Sequence, residues 1–421
     1  MKRWMMLWIS LLLAGGLTLV VVKINQMRPK AEVEKLHPEE VRASGACLQC
    51  HTRVTPAITK QFRESSHFKQ GVSCLDCHKA VDEQHAFNHN GFKITREVTA
   101  GACSRCHIDE TKEFLRSRHG VPAWSAVAGI KDFTPEQIAH AAQYHPGNPT
   151  ERPPNMLAIM EGAGAISNGC GVCHEIGKPN YDGSIGDCTK CHGRHEFGVA
   201  MARTPETCGA CHMGPDHAQL EIYNESKHGV QFHVRRDKQN LSQSSKDLTV
   251  EDQDVPTCST CHMSGLGALK ATHDVGERLS YYLFAPVSEK RPHYDIAQQN
   301  MKQVCLQCHA TTHVEEFYKR AEETIPSTNE KVKKSLDLEK ELRDAGILTP
   351  EPFDESIEFL FFNLWHHWGR TIKHGAFMGG ADFTQWHGNY ELLRDWIEIQ
   401  EKAEELKSKK TKSIEKTDID V

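Results

Sequence analysis

No cysteine of this 421-residue chain stands outside one short recurring motif, so none is left over to build a disulfide framework. Apolar material is modest: hydrophobic residues make up 38% and aromatics 7%, with 30 glycines and 18 prolines. An interior packed from side chains alone is therefore not expected, and other apolar surface must drive folding. Basic charge is not in excess. The 50 Lys and Arg residues face 56 Asp and Glu, for a net charge of −6, which argues against nucleic acid as a partner. The motif recurs without a fixed period, which excludes a solenoid. One long apolar run is present, residues 4–22, behind Lys2 and Arg3.

The sixteen cysteines fall into eight Cys-x-x-Cys-His cassettes. They are Cys47, Cys50 and His51; Cys74, Cys77 and His78; Cys103, Cys106 and His107; Cys170, Cys173 and His174; Cys188, Cys191 and His192; Cys208, Cys211 and His212; Cys258, Cys261 and His262; and Cys305, Cys308 and His309. Each is the attachment signature of a c-type haem: the thiols bond the vinyl groups and the adjacent histidine ligates the iron. Zinc sites and disulfides do not require a histidine directly after every second cysteine. The expected cofactors are eight covalently bound c-type haems. The expected fold is a multihaem cytochrome c, mainly α, with extensive irregular loops around the haems and long C-terminal helices. The porphyrins supply the missing apolar surface, so the apoprotein should be largely unfolded.

Residues 1–23 read as an N-terminal membrane anchor, because the run is long enough to cross a bilayer. The competing reading is a cleaved signal peptide, with Ala14-Gly15-Gly16 as a small-residue site. An uncleaved signal anchor is favoured because the apolar run continues through Val20, Val21 and Val22. Attachment of c-type haem takes place outside the cytoplasmic membrane, which puts the main domain on the periplasmic side. Residues 24–45 form a polar tether and 46–325 the octahaem domain. Within it, Pro135 opens a helix with Ile138, Ala141 and Ala142 on its apolar face, and 144–155 reads as a loop. Residues 326–407 form a helical C-terminal region. A Lys/Glu/Leu-rich helix spans 329–345. Asp354 caps an amphipathic helix bearing Ile357, Leu360, Phe361, Leu364, Trp365 and Trp368. A third helix at about 385–407 carries Trp386, Tyr390, Leu393, Trp396 and Ile397. These aromatic faces pack onto the haem domain or form a subunit interface. Residues 408–421 read as a charged, disordered tail.

Of 26 histidines, eight belong to cassettes and eighteen remain. A haem with histidine on both faces transfers electrons; one with an open face can bind and transform a substrate. The preferred distal ligands are His67, His89, His119, His195, His228, His273 and His374, with His85 competing for the place of His89. Several sit beside a small residue, as in Arg118-His119-Gly120, Lys227-His228-Gly229 and Lys373-His374-Gly375, where the backbone can approach a porphyrin closely.

Three blocks carry a family resemblance. The first is Cys208-Gly-Ala-Cys211-His212-Met213-Gly214-Pro215-Asp216-His217 with Glu221, Tyr223, Ser226, Lys227, His228 and Gly229. The others are Thr272-His273-Asp274, and the stretch from His374 through Asp382, Phe383, Thr384, Gln385 and Trp386 to His387-Gly388. Together they resemble the octahaem hydroxylamine oxidoreductase family over nearly the whole chain beyond the anchor. The resemblance implies seven bis-histidine haems and one five-coordinate catalytic haem at the fourth cassette, with His174 as its proximal ligand. It also implies a pocket using Asp216 and His217, and a homotrimer. Oxidative members crosslink a tyrosine to the catalytic porphyrin. Phe383 occupies the matching position, and Tyr390, seven residues on, reads as part of a helix stripe, so no crosslinking tyrosine is expected. Members without it are associated with reductive chemistry. The expectation is reduction of nitrite, hydroxylamine or both to ammonium, with electrons from a quinol-linked membrane cytochrome. Hydroxylamine or hydrazine oxidation, and a non-catalytic electron conduit, are the rivals. A tetrathionate-reducing octahaem protein is a weaker one, because no cassette shows its lysine ligation.

Overall fold

The structure, a computed structural model, describes residues 38–145 and 153–419. The proposed anchor and most of the tether lie outside the described residues. Among those described, no helix is long and apolar enough to cross a membrane.

The fold is mainly helical, and in the cassette region the helices are short. Three cassettes are themselves single turns: Cys74–His78, Cys170–His174 and Cys258–His262. Two of these are started by reciprocal capping boxes, Ser73 with Asp76 and Thr257 with Thr260, which satisfy backbone donors that so short a helix cannot satisfy itself. The first cassette lies within the helix Pro38–Val54 and the last begins at the end of Tyr294–Cys305. The described sheet is a two-stranded hairpin, Phe87–His89 with Phe92–Ile94. Asn90 and Gly91 turn it at φ 50° and 87°, the left-handed conformations that a two-residue hairpin loop requires. The helix at Pro135 runs to Tyr144, with Thr134 and Gln137 as its capping box.

Loops are tied down by buried guanidinium groups. Arg278, 2% exposed, donates to the carbonyls of Cys261 at 2.9 Å and Lys270 at 3.2 Å, and to that of Ser264. Arg203 donates to Leu241 O, Gln243 O and Ser245 Oγ. Each forks several chain segments together where no regular ladder exists. Apolar clusters among the cassettes are small, such as Tyr223, Phe232 and Val255, or Leu248, Leu266 and Val304.

The broadest apolar cluster is C-terminal. Val332, Leu342, Leu348, Ile357, Phe361, Leu364, Ile372, Leu392, Ile399 and Ala403 come from three rods and, for Leu348, from the turn that follows the first. The first rod, Thr311–Asp344, passes through Pro326 without ending. The boundary expected near 325 therefore falls inside a helix. Proline costs about 3 kcal/mol in a helix interior, and here the buried row Val314, Tyr318, Ala321, Ile325, Val332 and Leu342 outweighs it. The second rod joins Ser356–Asn363, the π-helical Leu364–Trp368 and Gly369–Met378. Its cap is Glu355, boxed with Glu358, rather than Asp354, whose carboxylate accepts from Thr349 Oγ1 at 2.8 Å.

The third rod runs from Ala381–Thr384 through π-helical Gln385–Tyr390 into Glu391–Ile419. The charged segment expected to be disordered is thus helical to Ile419, helped by pairs such as Lys409 with Glu405 at 2.6 Å. The aromatic stripe divides. Trp396 packs on the C-terminal core, whereas Trp386 is 59% exposed and Ile397 57%, with Tyr390 and Leu393 exposed beside them.

Candidate active site

First-row metal–imidazole bonds are about 2.0 Å long, so two imidazoles on opposite faces of one metal have ring centres roughly 6.3 Å apart. Six cassette histidines face another histidine near this spacing. His51 lies 6.0 Å from His89, His78 6.2 Å from His195, and His107 6.0 Å from His67. His192 lies 6.3 Å from His273, His212 6.0 Å from His119, and His309 5.9 Å from His228. The gap left between each pair of rings has the width of one ligated iron, and His212 meets a second imidazole at this spacing, His217 at 6.2 Å.

The other ring nitrogens are engaged as ligating histidines require. Nδ1 of His78 meets Thr95 O at 3.0 Å, Nδ1 of His174 meets Ala123 O at 2.7 Å, and Nδ1 of His51 meets Thr55 Oγ1 at 2.8 Å. A carbonyl acceptor fixes the proton on Nδ1 and leaves Nε2 for a metal. These residues fit c-type haem. His85, the competitor of His89, instead bonds Asp82 and stacks on Tyr181 at 3.7 Å. Buried Glu113 steadies His273 by accepting from its backbone N–H at 2.9 Å, and also pairs with Lys270 at 3.1 Å.

His374 differs from the sequence expectation. It is buried, its ring lies 4.6 Å from Phe284, and its Nδ1 faces Gln219 Nε2 at 3.3 Å. The same amide presents Oε1 to His212 Nδ1 at 3.3 Å. If the oxygen accepts from His212, the amide nitrogen donates to His374, whose proton then sits on Nε2, the atom an iron would need bare. None of the described histidine rings faces His262 at the pair spacing.

Neighbouring thiols give the order of cassettes in space. Cys77 lies by Cys103, Cys103 by Cys188, and Cys191 by Cys208. Cys208 lies by Cys258, Cys261 by Cys305, and Cys173 by Cys211. The sixth cassette therefore adjoins the fourth, fifth and seventh. Sequence order does not reveal this junction.

Directly after the sixth cassette, Gly214, at φ 86°, turns the chain into Asp216 and His217. Asp216 Oδ2 lies 2.6 Å from His217 Nδ1. Burial pushes the Asp216 carboxyl up, but the hydrogen bond and charge of His217, with His366 beyond, outweigh it and hold the group at about 2. The π-helical turn and the helix after it form the facing wall. Thr371 Oγ1, which donates to His367 O at 2.8 Å, lies 3.3 Å from Pro215 O, where the two segments meet. Burial first, then Arg370, pushes His366 down to about 3. Lys373, 0% exposed, donates to Ala285 O at 3.2 Å and Ser288 Oγ at 2.6 Å, and burial lowers it to about 7.

Sequence reasoning missed Gln219, Phe284, His366, His367, Arg370 and Lys373. The run Trp365-His366-His367-Trp368 was legible only as a helix face, and a π-helical widening has no simple sequence signal. Phe383 is half-buried with its ring 5.1 Å from His387; Tyr390 is exposed beside Trp386. Two surface cavities, of about 370 and 450 Å³, are lined around Tyr318 and Arg394 and contain none of the site residues.

Comparison with known proteins agrees with the cassettes. Residues 69–352 match the family described as "Seven times multi-haem cytochrome CxxCH", and residues 20–79 match "Cytochrome c554 and c-prime". The first match contains the second to eighth cassettes, and the first cassette falls in the other. A probable nitrite reductase–hydroxylamine oxidoreductase fusion protein of Kuenenia stuttgartiensis is 28% identical over 253 residues, 52% of this chain but only 25% of that protein. Among solved structures, a hypothetical multihaem protein matches with TM-score 0.74 and 21% identity, covering 90% of this chain and 98% of its own. The Kuenenia stuttgartiensis reducing HAO-like complex Kustc0457/Kustc0458 matches with TM-score 0.65 and 20% identity, over 91% and 89%. The family match spans well over half of the residues, and this protein belongs to the multihaem cytochrome c family.

Proposed function

We propose that the protein is an octahaem cytochrome c that reduces nitrite, hydroxylamine or both to ammonium at a five-coordinate haem held by Cys170, Cys173 and His174. The observation that carries this reading is the 2.6 Å Asp216–His217 pair, placed just after the cassette whose Cys211 adjoins Cys173. When bound, the haems relay electrons and supply the iron at which nitrogen–oxygen bonds are cleaved.

The protein's own part is to bind, orient and protonate. Each oxygen removed from nitrogen as water needs protons delivered locally. His217 is the group placed to give them, because an imidazole can both take up and release a proton through its ring nitrogens. Asp216, ionised across the working range, accepts from Nδ1 of His217 and stabilises its protonated form, whose Nε2–H is then the proton given up. Phe284, 5.3 Å from His217, screens the pair from water on one side. Phe383 has no phenol oxygen with which to form the tyrosine crosslink of oxidative enzymes, which favours the reductive direction.

In this reading the domain faces the periplasm behind an N-terminal anchor, and its donor is a quinol-linked membrane cytochrome. The exposed Trp386, Tyr390, Leu393 and Ile397 supply the contact face of a homotrimer. The test is a spin-state count on the purified holoprotein, with and without nitrite, followed by assay of ammonium. One high-spin haem that responds to nitrite, with ammonium as product, is expected. Eight low-spin haems indifferent to nitrite would reduce the protein to an electron conduit. A crosslinked tyrosine found by mass spectrometry would reverse the proposed direction.

A further inference from the structure

The helix Gln219–Glu225 begins seven residues after His212 and folds straight back onto the sixth cassette. Three successive residues of its first turn make the contact. Gln219 Oε1 lies 3.3 Å from His212 Nδ1, and the backbone N–H of Leu220 donates to His212 O at 3.0 Å. Glu221 Oε1 accepts from the backbone N–H of Gly214 at 2.9 Å. Leu220 packs so closely on Gly209 that a Cβ there would fall 2.3 Å from its Cδ2.

The acceptor at Nδ1 of a proximal histidine matters because a hydrogen-bonded imidazole is a stronger base towards iron and favours the oxidised state. At His78 and His174 that acceptor is a main-chain carbonyl, of Thr95 and Ala123, which no substitution removes. At His212 it is a side-chain amide. A proximal histidine gives Nε2 to the metal, so its proton sits on Nδ1 and Gln219 Oε1 accepts it. The amide nitrogen is then turned to His374 Nδ1, 3.3 Å away on the helix Gly369–Met378. One side chain thus orients the proximal imidazole of the sixth haem and is itself anchored by a buried ring from another segment.

The sixth cassette is also the junction, since its thiols adjoin those of the fourth, fifth and seventh. We propose that Gln219 is a positioning residue that lowers the reduction potential of the sixth haem and so makes it a stronger electron donor to the fourth. The assignment goes beyond the reaction at Asp216 and His217 and holds for any substrate reduced there.

The test is a spectroelectrochemical titration of the full holoprotein, with electron paramagnetic resonance at poised potentials. The signal of the sixth haem is identified by its loss in His119→Ala, since His119 faces His212 at 6.0 Å. Gln219→Met keeps the length of the side chain and removes the acceptor. The midpoint of the sixth haem should rise, by about three- to tenfold in the equilibrium constant for reduction. A tenfold change is about 59 mV for one electron. Gln219→Glu restores an oxygen acceptor and should return that midpoint to the wild-type value or below. A sixth-haem equilibrium constant within about twofold of wild type in Gln219→Met would overturn the assignment. An equal rise in Gln219→Glu would overturn it too, because it marks a purely structural role. Gln219→Leu serves the same comparison if Gln219→Met does not fold. A shifted sixth midpoint in a protein that ignores nitrite leaves this assignment standing and sinks the reaction-site reading alone.

Discussion

Replacing Asp216 by asparagine keeps its shape and removes its charge, which isolates what the carboxylate does for His217. Asp216 is held at about 2 against an ordinary value of 3.8. That difference is a preference for the ionised, paired form of about 2 kcal/mol. With 30% of the side chain open to water, solvent screening trims the contact with His217, leaving about 1–2 kcal/mol. Asp216→Asn should therefore lower kcat by about five- to thirtyfold. His217→Ala removes the donor itself and should cost about 10²–10⁴-fold. The two residues act as one unit, so the double variant should be little worse than His217→Ala. The sign with pH follows from the lowered carboxyl. Its contribution to stability is complete above 3.8 and is lost as pH falls towards 2, so Asp216→Asn is less stable than wild type at neutral pH and converges with it near pH 2. The assay is nitrite-dependent oxidation of a reduced dye, with ammonium measured and the low-spin spectrum recorded as a control. Multiplicative losses in the double variant, or Asp216→Asn turnover within about twofold of wild type, would refute the pair as a proton-delivering unit.

Four further outcomes are expected. His89→Ala should convert one low-spin haem to high spin while His85→Ala does not, as counted by electron paramagnetic resonance, because His89 faces His51 and His85 is engaged by Asp82 and Tyr181. Arg278→Met strips three loop carbonyls of their shared donor and leaves a buried site without its guanidinium. It should cost about 3–5 kcal/mol, read as a lowered thermal midpoint of the holoprotein, and an unchanged midpoint would refute the tie. Lys373 is held near 7, well below a free lysine, so the unfolded chain binds the extra proton between about 7 and 10.5 and stability should rise with pH across that window. Lys373→Met should flatten the rise in denaturant titrations at several pH values. Ile397→Glu places charge on an exposed apolar position and should shift the assembly towards monomer in light scattering; an unchanged mass would remove this face from the interface.

Much of this molecule is written locally. Haem attachment needs two thiols and an imidazole within five consecutive residues, so the eight cassettes are complete in the primary structure. Helices at Pro135–Tyr144 and Ser356–Asn363 were legible for a similar reason, since caps and apolar spacing act within a few turns. Other features depend on residues far apart in the chain. The change in composition near 325 reads as a boundary, and only burial of a long row of side chains against two other rods carries the helix on through Pro326. The split of the C-terminal stripe, with Trp396 inside and Trp386 and Ile397 outside, depends on which rods flank it.

Which histidine faces which cassette was not encoded in spacing. His195 reaches back to His78, where its backbone N–H donates to Gln61 Oε1 at 3.3 Å, and His273 reaches His192 from a loop held by Arg278 and Glu113. His374 carries the same flanking pattern as the facing histidines, yet Gln219 and Phe284 claim it. The sequence by itself determined the cofactor type, the attachment residues and the helical C-terminus, since each is a matter of neighbouring residues and covalent chemistry. The tertiary structure alone decided the pairing of imidazoles, the junction at the sixth cassette and the Arg370 wall beside Asp216 and His217, because these depend on distances between segments that no local pattern constrains.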